Sequence, residues 1–82
     1  MPRSTESDAT LLTDYVWSLQ DGRSKTSAES VQAMRTCTNP IVREIVAKDA
    51  GLEEPPSAET WRLAVHLFAE RVKAARWQGV AA

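Results

Sequence analysis

The stretch SAETWRLAVHLFAERVKAARW, from Ser57 to Trp77, is the longest uninterrupted helical pattern in the chain and decides its fold. A Pro-Pro pair directly before it cannot continue a preceding helix, and the Ser57 side chain can accept a hydrogen bond from a free N–H group of a new first turn. Glu59 then places negative charge where the helix dipole favours it. We therefore predict a long C-terminal helix that begins at Ser57 and stops at Gln78-Gly79.

Apolar residues recur along this stretch at intervals of three and four, which is the spacing of a helix that buries one side. The members of this face are Trp61, Ala64, Val65, Phe68, Val72 and Ala75. A second, narrower apolar stripe on the back of the helix contains Leu63, Leu67 and Ala74. We expect the first face to point into the core, and the second to be covered by other helices or left exposed for a partner.

A first helix is predicted from a cap at Ser7 or Asp8 to about Gln20, with Asp21-Gly22 as its stop. Its predicted core face consists of Leu11, Leu12, Tyr15, Val16 and Leu19. Trp17 lies outside this face, and a large aromatic side chain on the outer side of a helix is a candidate for contact with a partner or with another helix.

Two further helices are predicted between the first and the last. The second begins at a Thr26–Glu29 capping box and has only a thin apolar stripe, so a peripheral position is expected. The third restarts at Asn39-Pro40 and ends at Gly51. It carries the densest aliphatic cluster of the chain, for which we predict a core position. The cluster consists of Ile41, Val42, Ile45 and Val46.

These patterns predict an all-α fold, a small bundle of about four helices organised around the long C-terminal helix. Residues 1–6 are expected to be a flexible tail, residues 7–78 a single helical domain and residues 79–82 a frayed C-terminus. A domain of this length buries only about 60% of its unfolded surface, so association with a second copy would supply burial that the monomer lacks.

Composition excludes several classes of function. Ten basic and eleven acidic residues leave a net charge of −1, so there is no overall field that would attract nucleic acid or anionic lipid. No apolar run reaches the length of a membrane span, and no signal peptide is visible at the N-terminus. The single cysteine, Cys37, fits a reducing compartment, and we expect a cytoplasmic protein.

The same composition predicts no enzyme, cofactor or metal site. His66 and Cys37 are the only residues of their types, and the three glycines are scattered rather than grouped in a phosphate-binding loop. Zinc requires three or four nitrogen or sulfur ligands, more than this pair supplies.

The helices carry more apolar surface than one buried face on each can account for, which indicates a small protein–protein interaction module. We expect it to associate with itself as a homodimer or with a heterologous protein. Its role would be regulatory, or that of a phage-encoded accessory protein. The predicted partner surface consists of Trp17, Leu63, Leu67 and Trp77. Tryptophan is enriched at the energetic centres of interfaces, which favours this interpretation.

The alternative is a DNA-binding regulator. The segment IVREIVAKDAGLEEPPSAETWRLAVHLF resembles a helix-turn-helix, with Ile41 to Ala50 as the supporting helix, Gly51 in the turn and the helix from Ser57 as the reading helix. That resemblance implies nucleic-acid contacts from a basic ridge on the last helix. The ridge consists of Arg62, His66, Lys73 and Arg76. The connection is longer than such motifs use, and the acidic pair Glu53-Glu54 lies at the end that should approach phosphate.

Overall fold

The computed structural model describes residues 4–20 and 27–81, with side chains up to Trp77. Within these ranges the chain forms four helices: α1 (Thr5–Ser18), α2 (Ala28–Thr36), α3 (Pro40–Ala50) and α4 (Ala58–Ala81). The same residues contain no strand, so the predicted all-α class is confirmed as a compact arrangement of four helices. The predicted Asp21-Gly22 stop and the Thr26 half of the capping box lie outside the described residues, as do the ends of both predicted terminal segments.

Helix α4 packs against both α1 and α2, whereas α3 packs mainly against α1. Thr13 and Trp17 of α1 meet Ala64 and Phe68 of α4, and Asp14 of α1 pairs with Arg71 of α4. Helix α2 runs the opposite way along α4, because its C-terminal end lies at the start of α4 and its N-terminal end lies beside the later turns.

The predicted inner face of α4 forms the centre of the core. Trp61 is 4% exposed and Phe68 is fully buried, while Ala75 at the end of the face is half-buried. The other members of the face, Ala64, Val65 and Val72, are buried as well. Side chains from the remaining elements complete the core, namely Ala9, Leu12, Val31, Met34, Ala47 and Leu52. The periodicity of α4 thus predicted the inward side of this helix correctly.

The helix boundaries follow local capping chemistry. The Ser57 hydroxyl oxygen accepts a hydrogen bond from the Thr60 N–H at 3.1 Å, and the Asn39 side-chain oxygen accepts from the Ile41 N–H at 2.9 Å. Gly51 adopts the left-handed conformation, with a φ of 98°, that ends α3. The predicted start of α4 and both predicted ends of α3 are therefore confirmed.

Other boundaries differ from the prediction. Helix α1 begins at Thr5 because Ser4, rather than Ser7 or Asp8, accepts the capping hydrogen bond. Ser27 caps α2 by accepting from the Glu29 N–H at 3.1 Å. Helix α4 continues past Gly79 to Ala81. Ser4 and Ser27 each lie directly before the helix that they cap, where the side-chain oxygen can accept from an N–H group of the first turn.

The predicted core face of α1 is wrong in part. Leu12 is buried and Leu11 and Val16 pack against the core, but the buried side is rotated by roughly a quarter turn from the predicted face. The buried residues of α1 are Ala9, Leu12 and Thr13, whereas Leu19 is 61% exposed. The Thr13 hydroxyl donates to the Ala9 carbonyl at 2.8 Å and lies 3.2 Å from the Ala64 carbonyl oxygen. Small side chains let α1 approach α4 closely, and these hydrogen bonds offset the cost of burying the hydroxyl.

The predicted core position of the α3 cluster is also wrong. Ile41 is 66% exposed, Val42 is 42% exposed and Ile45 is 55% exposed, while Val46 is half-buried. Instead, the small Ala47 is buried on the inward side of α3. This side of the helix packs against α1. Ile41, Val42 and Ile45 therefore lie on the outer side of α3, whereas Val46 packs against the core.

Candidate functional site

The predicted partner surface divides into packed and exposed members. Leu63 and Leu67 are half-buried and lie against the core, and the half-buried Trp17 ring meets Phe68 edge to face, with ring centroids 5.9 Å apart. Trp77, by contrast, is 73% exposed. Three of the four residues thus pack within the chain, and Trp77 alone among them presents most of its side chain to solvent.

The predicted basic ridge lies along the surface of α4. All four of its members, Arg62, His66, Lys73 and Arg76, are exposed. Within the described part of the chain none of them forms an ion pair, whereas Arg71 on another side of α4 pairs with Asp14 of α1. The ridge cations are therefore available to a ligand that approaches from this side.

A groove of about 840 Å³ opens between α2 and the later turns of α4. We call it the α2–α4 groove. Val31 of α2 and Val72 of α4 are buried and line it, and Trp77 lies along it. Its volume falls within the roughly 300–1,000 Å³ of typical ligand pockets. The groove therefore joins an apolar lining to the most exposed tryptophan of the described chain.

The groove also brings the two predicted sites together. Trp77 comes from the predicted partner surface, and Lys73 and Arg76 come from the predicted ridge. Arg35 of α2 joins them as a further cation, and Glu70 is the acidic residue of the lining. Sequence reasoning missed Arg35, because its proximity to Lys73 depends on α2 lying antiparallel to α4, and no pattern within α2 reports that arrangement.

A second candidate surface is the exposed aliphatic side of α3, formed by Ile41, Val42 and Ile45, which we call the α3 face. At about 100° per residue these three side chains occupy one sector of the helix. Exposed charges of both signs lie beside them, from Glu44 and Lys48. The sequence indicated the cluster itself but assigned it to the core.

Several contacts hold α3 in place. The Arg43 side chain donates from Nε to the Cys37 carbonyl at 2.8 Å, and its guanidinium lies 5.0 Å from the centroid of the Trp61 ring. The Tyr15 hydroxyl donates to the Asp49 carboxylate at 3.2 Å. Partial burial and the neighbouring Asp49 charge raise the pKa of the Tyr15 phenol above its usual 10.0.

Cys37 and His66 are the residues that the sequence analysis weighed for catalysis or metal binding. Cys37 is a half-buried free thiol, and His66 is exposed on α4. Within residues 4–20 and 27–77, no three His, Cys, Asp or Glu side chains converge on a point that could hold a metal ion. None of the described helices combines the length and apolarity that a membrane span requires.

Comparison of the chain with protein-family models, curated proteins and solved structures finds no match.

Proposed function

We propose that the protein is a small, non-enzymatic protein–protein interaction module that associates with a second copy of itself through the α3 face. The observation that carries this proposal is the exposure of three adjoining aliphatic side chains, Ile41, Val42 and Ile45. Burial of apolar surface contributes about 25 cal/mol per Å², so a contiguous aliphatic patch favours association.

The surroundings of the α3 face suit it to docking. The contacts of Arg43 with Cys37 and Trp61, and of Asp49 with Tyr15, hold α3 firmly, so little freedom would be lost when the face is covered. A two-fold dimer uses the same patch on both copies. Glu44 and Lys48 border the face with charges of both signs, which suits electrostatic complementarity between two copies.

The size of the patch sets the expected strength. Standard interfaces bury about 800 Å² on each partner, more than three side chains supply. We therefore propose a weak dimer whose population depends on protein concentration. Within each copy, α4 is the helix around which the bundle is organised. We place its action in the cytoplasm, in a regulatory or accessory role, since the single free Cys37 suits a reducing compartment.

Light scattering over a range of concentrations tests this proposal. Wild-type protein is expected to shift from monomer to dimer, and Ile45→Glu is expected to weaken the dimer by at least about tenfold, because association would bury an unpaired carboxylate. Ala33→Glu is the matched control, since it adds the same charge at an exposed position of α2. Leu67→Glu tests separately whether the second apolar stripe predicted on the back of α4 takes part in the dimer. A wild-type protein that stays monomeric at millimolar concentration would contradict the proposal.

A second candidate function is nucleic-acid binding by the basic ridge, which the exposure of Arg62, His66, Lys73 and Arg76 favours. The arrangement of the helices gives it less support. The supporting helix of a helix-turn-helix packs on the reading helix, whereas α3 packs mainly on α1. Glu53, Glu54 and Glu59 are also exposed near the start of α4, where they would repel phosphate.

A further inference from the structure

The α2–α4 groove is long enough for two turns of a docked helix. Its lining extends from Ala28 to Arg35 on α2 and from Ala69 to Trp77 on α4. At 1.5 Å rise per residue, each of these segments is about 10–12 Å long, which matches two turns of a docked helix. Alanine at Ala28 and Ala69 leaves space between the helices that larger side chains would fill.

The groove is basic although the whole chain is not. Arg35, Lys73 and Arg76 line it with one acidic residue, Glu70, while the net charge of the chain is −1. All four side chains are exposed, and within the described residues the three cations form no ion pair. Such a local positive field selects an acidic ligand.

Trp77 supplies a further feature of a binding site. Its side chain is 73% exposed, and it lines the groove together with the accessible Ala69 and Ala74, so a large aromatic surface adds to an apolar lining. Tryptophans in this position are frequent hot spots, because they bury a large area at low cost in conformational entropy.

From this juxtaposition we infer that the α2–α4 groove docks an acidic amphipathic helix of another protein. The apolar stripe of that helix lies on Trp77 and on the accessible alanines of the lining, Ala28, Ala69 and Ala74, and its carboxylates face the three cations. This inference is independent of self-association, which uses the α3 face. Duplex DNA suits the groove less well, because the phosphate backbone gains nothing from the alanine lining or from Trp77, and Glu70 repels it.

The test uses a labelled helical peptide with leucines at i, i+3, i+4 and i+7 and glutamates on the remaining face. The full-length protein is titrated against it by fluorescence anisotropy, at concentrations where the protein is monomeric. We expect saturable binding that weakens with salt. Trp77→Ala is expected to weaken binding by about tenfold or more, and so is Lys73→Glu combined with Arg76→Glu.

Two variants serve as controls. Lys48→Glu reverses a charge on α3, outside the groove, and is expected to leave peptide affinity unchanged. Ile45→Glu is expected to remove self-association and also to leave peptide affinity unchanged. A result against the proposed dimer can therefore be distinguished from a result against the proposed groove. Circular dichroism checks the fold of every variant. If the double charge reversal disturbs folding, Lys73→Gln combined with Arg76→Gln replaces it, with a smaller loss of affinity expected.

Three outcomes would overturn the inference. The first is the absence of peptide binding. The second is equal binding of a peptide with lysines in place of the glutamates, which would show that the groove has no charge selectivity. The third is binding of random-sequence duplex DNA that displaces the peptide and is weakened equally by Trp77→Ala and by the charge reversals, which would assign the groove to nucleic acid.

Discussion

Trp61 joins three of the four helices through one side chain. Its ring is 4% exposed on α4, and its indole N–H donates to the Met34 carbonyl at the end of α2, at 3.1 Å. The Arg43 guanidinium of α3 lies 5.0 Å from the ring centroid. A buried tryptophan needs a partner for its N–H, and the Met34 carbonyl provides one at the end of α2, where it also accepts a hydrogen bond from the Cys37 N–H at 3.3 Å.

Replacement of Trp61 by phenylalanine is expected to lower the free energy of unfolding by about 1–3 kcal/mol, because the indole hydrogen bond and part of the packed ring are lost. Denaturant unfolding measures the change. Trp77→Phe is the matched control, since the 73% exposed Trp77 ring makes the same substitution nearly neutral for stability. Equal losses in both variants would show that the buried indole has no special role.

Among the helices, α3 has both of its bounds set by capping residues at its two ends. Asn39 caps its start, with Pro40 in the first turn, and Gly51 ends it with a φ of 98°. The Leu52 N–H then donates to the Ala47 carbonyl at 2.9 Å, which turns the buried Leu52 side chain back toward the core. The ends position α3 so that its small residues meet α1 and its aliphatic residues remain outside.

Gly51→Ala is expected to destabilise the protein by about 1–2 kcal/mol, because an L-residue with a side chain is strained in the left-handed region. The cost is conformational rather than steric, since a Cβ at this position meets nothing within 4 Å. Thermal unfolding measures it. Gly51→Asn tests the cause, since asparagine tolerates the same conformation and should lose less stability than alanine. An equal loss in both variants would argue against backbone strain as the reason.

For the whole molecule, charge is balanced overall but unevenly placed. The net charge is −1, yet exposed cations line one side of α4 and continue onto α2 at Arg35. Binding of any polyanion therefore depends on this side alone and is not assisted by a long-range field of the whole chain.

If the ridge binds duplex DNA, the logarithm of the affinity should fall linearly with the logarithm of the salt concentration. Arg62→Ala combined with Lys73→Ala should then reduce the magnitude of the slope by about 1.8, since each phosphate contact contributes about 0.9. Mobility-shift titrations at several salt concentrations measure the slope, and Lys48→Ala on α3 is the control. Absence of any shift at low salt would rule out this second candidate function.

The sequence by itself determined the local structure of the chain. The capping residues Ser57 and Asn39, the left-handed stop at Gly51 and the inner face of α4 were all predictable, because each depends on residues within a few positions of one another. The cationic and aromatic members of the candidate sites on α4 were also visible in its periodicity.

Only the tertiary structure decided which sides of α1 and α3 face inward and which residues of different helices meet. Periodicity ranks the faces of an isolated helix by hydropathy, and on that ranking Ile41 and Ile45 belong inside. Close approach between helices instead favours small side chains, so Thr13 and Ala47 were buried and the isoleucines were left exposed. That Arg35 and Trp77 line one groove likewise depends on the direction in which α2 crosses α4, which is set by packing across the whole bundle and not by any short stretch of residues.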